Sequence, residues 1–435
     1  MFERLVGLLT VSLRKLGGKR GDEVAFGRFL RNPKVTCEEI LSSSSAPLKE
    51  AAKGLQVLAI QDTSEINYQA HAQKTSGLGT VGNGKDVGFF LHPILAVDAQ
   101  SEAVLGLCGA EILQRYKSKS PDYKKLPIEE KESYRWLKGA QTAKQALQSA
   151  SCVTIIADRE SDIYEEWVRI PDAKTHLLTR ACRNRTLVGS ELGLFEFAEA
   201  LPKVTEYTLC LPAREGRAAR EARMAVRFSA LVIKRPQACS DPNAPDSLKL
   251  YIVDVKEVDP PSLSEAVHWC LLTTHEVTRV EKALTMVHWY CQRWHIEQVF
   301  RTLKRQGLNV ESSQIETAAS LEKLVILALL AAVRTLQLVQ ARDGKVDRPA
   351  TDVFKESEIA CLRVLQKQLE GKTQAQKNRF TLGSLAWSAW LIARLGGWKG
   401  YASERPPGPI TMLRGLQDFD KLYQGWRLAK DVCIP

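Results

Sequence analysis

The stretch Tyr290-Cys-Gln-Arg-Trp-His-Ile-Glu-Gln-Val-Phe-Arg-Thr-Leu-Lys304 decides how this chain is interpreted. At about 100° per residue, five of its polar side chains fall within roughly 80° of one another on one helix. They are Tyr290, Arg293, Glu297, Arg301 and Lys304, and the apolar side chains Ile296, Val299, Phe300 and Leu303 lie on the other side. Carboxylates bind hard divalent metals, and guanidinium and ammonium groups bind phosphate. The stretch therefore predicts one helix suited to chemistry on a phosphodiester, although a solvated basic face would show the same pattern.

Composition gives broader limits. The chain has 435 residues, 44% of them apolar, which predicts two or three domains or one domain with an insertion. Its 61 Lys and Arg exceed its 50 Asp and Glu, and the net charge of +11 fits a polyanionic partner. The ten Cys include no C-x-x-C pair, so we expect reduced thiols in a cytoplasmic protein rather than a zinc site or disulfides. The longest apolar run, residues 324–333, is too short to span a bilayer and predicts a buried helix.

Two acids follow buried strands. The apolar runs 55–60 and 152–157 predict strands; Gln61 and Asp62 follow the first run, and Asp158 follows the second. Further strands are predicted at 87–97, 103–112 and 177–180, with a helix at 129–150 and a Gly-rich turn at 77–84. This order predicts a mixed α/β sheet, whose ligand edge lies at the carboxyl ends of its strands. Residues 183–266 hold short β-like runs, a basic turn at 214–223 and no strong helix, which predicts a β insertion.

Phosphodiester cleavage needs an activated nucleophile and a counter-charge for the leaving oxygen. Two divalent metals about 3.5–4 Å apart supply both, and three or four carboxylates can hold such a pair. Asp62, Asp158 and Glu297 are the candidates for this role, with Glu160 and Asp162 as further candidates near Asp158. Each Asp could instead cap a turn or a helix, and Asp162 is expected to cap or to form an ion pair.

A signature and four further blocks of the sequence carry a resemblance. Tyr290, Arg293, Glu297 and Lys304 fit the Tyr-x-x-Arg-x-x-x-Glu-x-x-x-x-x-x-Lys signature of bacterial DDE transposases of the insertion-sequence-four family. Residues 60–63 resemble that family's first-Asp strand, and residues 157–162 resemble its second-Asp segment. Residues 29–33 and 393–398 resemble two further blocks.

The resemblance implies an RNase H-like catalytic domain. It implies a helical, basic DNA-binding segment at 1–50, the first part of the catalytic domain at 51–182 and the β insertion at 183–266. The second part, with the Glu helix, follows at 267–342, and a helical dimerisation domain follows at 343–435. Met1 aligns with a position inside the family's usual DNA-binding segment, so we expect that segment to be shortened.

The resemblance also implies the chemistry. Asp62, Asp158 and Glu297 would hold Mg²⁺, with Mn²⁺ as a substitute. The family nicks transposon ends, closes and reopens a hairpin, and joins the 3′ ends to target DNA. The partners implied are the terminal inverted repeats, target DNA and a second copy of the chain.

The same resemblance assigns DNA contacts. Phosphate-binding roles fall to Tyr290, Arg293, Arg301 and Lys304, with Arg159, Arg180, Arg183 and Arg185 as further candidates for the DNA backbone. Trp269 would stack on an extruded base, although a strand Trp can also pack in a core. Phe89 and Phe90 are expected to be core residues, and His295 is expected to be solvated.

Two other functions stay open at this stage. A shortened chain could act as a non-cleaving regulator that dimerises with a full-length transposase. An RNase H-fold nuclease without strand transfer is a third possibility, which the complete Tyr-Arg-Glu-Lys set disfavours.

Overall fold

The computed structural model describes residues 1, 5, 10–42, 45–82, 84–115, 123, 126–211, 218–262, 266–305, 307–401 and 404–432. Within these residues the fold is mixed α/β, as predicted. The strands, in chain order, are β1 (Gln56–Gln61), β2 (Ser64–Asn67), β3 (Gly79–Val81), β4 (Asp86–Asp98), β5 (Val104–Leu113), β6 (Cys152–Ala157), β7 (Thr175–Arg180), β8 (Thr205–Leu211), β9 (Arg220–Lys234), β10 (Ser247–Glu257) and β11 (His268–Thr273).

The α-helices, again in chain order among the described residues, are α1 (Leu13–Gly17), α2 (Arg20–Arg31), α3 (Cys37–Ser42), α4 (Ser45–Ala51), α5 (Tyr134–Ala146), α6 (Tyr164–Arg169), α7 (Leu194–Ala200), α8 (Val280–Cys291), α9 (Trp294–Lys304), α10 (Ala318–Ala341), α11 (Glu356–Leu369), α12 (Leu385–Leu395) and α13 (Pro409–Val432). The chain divides into two compact units. The strand unit comprises Gly54–Asp62 and Lys119–Trp294, and the helix unit comprises Met1–Lys53, Thr63–Ser118 and His295–Pro435.

The sheet of the strand unit runs in the order β1-β6-β7-β11-β10-β9-β8. The pairs β1–β6 and β6–β7 are parallel, and the remaining pairs are antiparallel. In β1 and in β6, five of the six residues are buried, as expected for strands covered on both faces. Helix α5 packs against both of these strands. The predicted strands of this unit are confirmed to within a few residues.

The predicted insertion continues this sheet. Strands β8, β9 and β10 extend it, because β10 pairs with β11 and β11 pairs with β7. The basic turn predicted at 214–223 is wrong at its end, since β9 already begins at Arg220. Residues 212–217 of that turn lie outside the described residues. The short helix α7 also lies within the insertion and contacts β10.

In the helix unit, β4 pairs antiparallel with β2, β3 and β5. The prediction of a continuous turn at 77–84 is wrong, because β3 lies inside it. The three residues of β3 pair with residues 86–88 of β4. This strand is therefore defined by its backbone pairing with β4, and no apolar run in the sequence predicts it. Gly88 stands where β4 meets β2, and a Cβ there would lie 2.1 Å from the carbonyl oxygen of Ile66.

Helix α10 is the core of the helix unit. It contacts β5, α2, α3, α12 and α13, and it is longer than the predicted run 324–333. By length and composition alone it could cross a membrane, but most of it is buried inside the protein, as in the core helix of a globular domain. The predicted burial is confirmed. Its Lys323 donates hydrogen bonds to the carbonyls of Leu30 (3.0 Å) and Asn32 (2.8 Å), which satisfies the end of α2.

Candidate active site

Two carboxylates stand at equivalent positions of adjacent strands. In the parallel pair β1–β6, Ile60 lies opposite Ile156. Asp62 comes directly after the end of β1, and Asp158 comes directly after the end of β6. Both side chains are half-buried, and both follow the carboxyl end of a parallel strand, where ligands bind in α/β sheets. The structure thus places both acids just after the carboxyl ends of two neighbouring parallel strands.

The two acids differ in their partners. Asp158 Oδ1 accepts the N–H of Glu160 at 2.8 Å, so Asp158 does cap a short 3₁₀ turn, as one interpretation of the sequence proposed. Asp62 is followed by β2 rather than by a helix, so it has no helix to cap. Arg293 Nη1 lies 2.7 Å from Asp62 Oδ2, in an ion pair whose side chains are 21% and 17% exposed. A partly buried pair of this kind is stronger than an exposed one.

The prediction of a single helix from Tyr290 to Lys304 is wrong. Helix α8 ends at Cys291, and α9 begins at Trp294. Between them, the N–H groups of Gln292 and Arg293 bond to the carbonyls of Trp289 (3.0 Å) and Tyr290 (3.1 Å), three residues earlier, which tightens the backbone. Tyr290 therefore belongs to α8, and Arg293 lies in the turn, from which it reaches Asp62.

The second half of the signature does share one helix face. Glu297, Arg301 and Lys304 follow one another at spacings of four and three residues in α9. Glu297 is half-buried in the first helical turn, where the helix dipole favours a negative charge. Arg301 is exposed, and Lys304 Nζ lies 3.6 Å from Glu311 Oε1.

The same region of the helix unit corrects one expectation. His295 is half-buried rather than fully solvated, and its ring lies 3.2 Å from Gln340 Nε2. Burial lowers the pKa of His295 to about 4. The imidazole is therefore neutral at physiological pH.

An aromatic pair lies in the strand unit. The ring of Trp269, on β11, meets that of Tyr290 edge-on, with centroids 5.6 Å apart. Burial raises the pKa of the Tyr290 hydroxyl, and the charges of Arg293 and Arg180 oppose this. Trp269 is half-buried, which leaves part of its side chain accessible. Phe89 is fully buried, as expected of a core residue.

Arginines surround the carboxyl end of β7. Arg159 is exposed, and Arg180 donates to the carbonyl of His268 at 2.8 Å. Both line a cavity of about 430 Å³. Arg183 is exposed, but Arg185 is buried in an ion pair with Asp162. The expectation that Arg185 contacts DNA is therefore wrong, and the expected ion pair of Asp162 is confirmed.

Glu166, in α6, is a further residue near the candidate acids, and it is not among the predicted site residues. Its side chain is fully buried, with Ser161 Oγ 2.5 Å from Oε2 and Gln61 Nε2 3.3 Å from Oε1. Burial raises the pKa of Glu166 to about 8, and the charge of Asp162 adds to this, while both hydrogen bonds oppose it. A signal existed, because Glu166 falls in the apolar stripe of Ile163, Trp167 and Ile170 at helical spacing.

The acids fit a hard divalent cation by chemistry, since carboxylate oxygens are the ligands that Mg²⁺ prefers. In the part of the chain that the structure describes, however, no three His, Cys, Asp or Glu side chains are grouped so that they could hold a metal ion. The predicted ligand set Asp62, Asp158 and Glu297 therefore stays a prediction.

Residues 141–334 match the family model described as "Transposase DDE domain". The matched stretch includes Asp158, Glu297 and every predicted DNA contact, while Asp62 lies outside it. Assignment to the insertion-sequence-four family is finer than this match and stays a prediction. The match therefore supports a transposase DDE domain within residues 141–334.

Proposed function

We propose that this chain catalyses cut-and-paste DNA transposition of the insertion-sequence-four type. The observation that carries the proposal is that Asp62 and Asp158 follow the carboxyl ends of the adjacent parallel strands β1 and β6, in a chain partly matched by a DDE transposase model. The proposed ligands of Mg²⁺, or of Mn²⁺ in its place, are Asp62, Asp158 and Glu297. Bound divalent ions would supply an activated nucleophile and a counter-charge for the leaving oxygen.

The remaining residues would bind and orient DNA. Phosphates are the proposed partners of Tyr290, Arg293, Arg301, Lys304, Arg159 and Arg180. Arg293 has two alternative anions, the Asp62 carboxylate that it contacts in this structure and a DNA phosphate. Trp269, half-buried beside Tyr290, would stack on a base extruded when the hairpin closes.

The proposal includes a homodimer that joins two transposon ends in the bacterial cytoplasm. The C-terminal helix α13 supports a dimer surface, because Leu422 is 43% exposed and Leu428 is 65% exposed. Sedimentation of the chain with and without end DNA would test this part. The segment division 1–50, 51–182, 183–266, 267–342 and 343–435 belongs to the same proposal.

The decisive experiment uses the purified chain, Mg²⁺ and DNA carrying the inverted repeats that flank the gene. We expect nicking, a hairpin intermediate and joining to target DNA. Asp62→Asn, Asp158→Asn and Glu297→Gln should each abolish cleavage while DNA binding persists, because each removes one charge and little volume. Glu160→Gln is the matched control. Glu160 lies two residues from Asp158, but its exposed carboxylate pairs with Arg135 on the surface.

Other outcomes have clear meanings. Cleavage retained by Asp158→Asn or Glu297→Gln would remove the ligand assignment. DNA binding and dimerisation without cleavage by the unaltered chain would favour the non-cleaving regulator. Nicking without joining would favour a nuclease.

The aromatic role has a separate test. Trp269→Ala should lower hairpin formation by about 10- to 100-fold, the equivalent of roughly 1–3 kcal/mol of stacking, and leave the first nick intact. Trp269→Phe should restore most of the loss. Equal loss of nicking and hairpin formation would instead indicate that Trp269 is a core residue.

A further inference from the structure

The buried carboxyl of Glu166 connects the two strand ends that carry the candidate acids. Gln61 is the last residue of β1 and immediately precedes Asp62, and its amide lies 3.3 Å from Glu166 Oε1. Ser161 ends the 3₁₀ turn that Asp158 caps, and its hydroxyl lies 2.5 Å from Glu166 Oε2. The Glu166 side chain thus bonds both to the residue before Asp62 and to the turn that Asp158 caps.

The surroundings make this arrangement costly. Glu166 is 0% exposed, and Ser161 and Gln61 are 1% and 0% exposed. A buried acid with neutral hydrogen-bond partners usually contributes less to the stability of the fold than an apolar side chain of the same size. Locally unfavourable residues that persist are concentrated at functional sites.

We infer that Glu166 is a positioning residue that fixes the spacing between the Asp62 and Asp158 carboxylates by holding Gln61 and Ser161. This inference rests on the proposed function, because it takes the two acids as metal ligands. The physical reason is that a metal pair tolerates little error in the separation of its ligands. Residues that orient ligands from outside the coordination shell typically change metal affinity 10- to 100-fold when they are lost.

Three variants separate positioning from simple packing. Glu166→Met keeps the length of the side chain and removes both hydrogen bonds. Glu166→Gln keeps both, because the amides of Gln61 and residue 166 can pair, and the Ser161 hydroxyl can donate or accept. The matched control is Glu165→Met, which changes the preceding buried acid of α6, a residue that lies beside Cys239 instead.

The measurement is Mn²⁺ binding to the full chain, followed by the electron paramagnetic resonance signal of free Mn²⁺. We expect Glu166→Met to weaken binding roughly tenfold. Glu166→Gln should stay within about threefold of the unaltered chain, and Glu165→Met should match it, because only Glu166 holds the strand ends. Ser161→Ala, a milder change, should weaken binding in the same direction if Glu166→Met folds poorly. Circular dichroism at the assay temperature confirms that each variant is folded.

The outcome also separates this inference from the proposed function. Unchanged Mn²⁺ affinity in both folded variants, Glu166→Met and Ser161→Ala, would overturn the positioning role even if the chain cleaves DNA. A tenfold loss in Glu166→Met with rescue by Glu166→Gln would support that role even if the chain cleaves no DNA and the proposed function fails. Equal losses in Glu165→Met and Glu166→Met would mean that general packing of α6 is responsible, which would also overturn the inference.

Discussion

Two of the buried acids that follow Asp158, namely Asp162 and Glu166, connect this segment to different neighbouring parts of the sheet. Asp162 faces β7: its carboxylate accepts the N–H groups of Cys182 (3.0 Å) and Arg183 (3.1 Å) and pairs with the guanidinium of Arg185. Glu166 faces β1 and has hydrogen bonds to Gln61 and Ser161. The chain that follows β7 is thus held through a cation and two backbone donors. The end of β1 is held through neutral side chains.

The difference separates two ways of burying a carboxyl. A buried carboxylate with a guanidinium and two backbone donors stays satisfied while it is charged. A buried carboxyl with an amide and a hydroxyl is more stable when it holds a proton, which is why burial raises the pKa of Glu166. Asp162 is therefore expected to matter mainly for folding, and Glu166 mainly for the geometry of the site and for the pH dependence of stability.

The largest expected effect on stability comes from removing the guanidinium of Arg185. Arg185→Met should lower the free energy of unfolding by about 3–5 kcal/mol, because it leaves Asp162 buried without its ion-pair partner. Urea unfolding at neutral pH measures this. Arg183→Met is the control: Arg183 is exposed, so its loss should change stability by about 0.5 kcal/mol or less. Equal effects of the two substitutions would show that the buried pair contributes nothing special.

The second-largest expected effect is the change of unfolding free energy with pH that the Glu166 carboxyl causes. Its pKa rises from 4.5 to about 8 on folding, so between these values the folded chain holds a proton that the unfolded chain has released. The free energy of unfolding therefore falls as pH rises through this window, by up to about 1.4 kcal/mol per pH unit. From pH 5.5 to 7.5 we expect Glu166 to contribute a loss of about 2 kcal/mol.

Glu166→Gln tests this, because an amide does not titrate. The difference in unfolding free energy between this variant and the unaltered chain should grow in favour of the variant as pH rises. Other groups titrate equally in both proteins and cancel in the difference. A constant difference across pH 5.5–7.5 would mean that Glu166 does not take up a proton on folding.

The sequence could predict the strand ends but not what holds them. Two largely apolar runs of six residues, with Asp62 and Asp158 just beyond them, predict β1 and β6, and these two strands do pair in parallel. That prediction worked because burial on both faces leaves a pattern in the chain itself. The pairs Gln61–Glu166 and Asp162–Arg185 join residues 105 and 23 positions apart, and no periodicity relates such positions.

The signature stretch shows a different limit. Its helical periodicity predicts one helix, and nothing at Gln292 or Arg293 resembles a helix breaker such as Gly or Pro. The turn there depends on tertiary packing, which buries Trp289, Tyr290 and Gln292 together. Local propensity is often overridden in this way. The residue types of the signature were therefore more informative than their angles around an ideal helix.

A smaller loss of stability is expected when the hydrogen bond between Ser161 and Glu166 is removed. Ser161→Ala removes the short 2.5 Å hydrogen bond and should cost about 1 kcal/mol in unfolding free energy. The cost should exceed that of Ser151→Ala, because Ser151 is exposed and lies immediately before β6. Urea unfolding near pH 6 measures both. A Ser161→Ala variant as stable as the control would show that the contact contributes no net stability.

The smallest effect should come from Gln61→Met, which removes the longer 3.3 Å hydrogen bond to Glu166 and keeps the volume of the side chain. We expect a loss of about 0.5 kcal/mol, at the low end for a neutral hydrogen bond. If Ser161 and Gln61 act through the same carboxyl, each effect should shrink in the Glu166→Met background, where neither bond exists. A double-mutant cycle measures this coupling. Additive losses would mean that the two residues stabilise the fold independently, and the connection between the strand ends would then consist of two separate contacts.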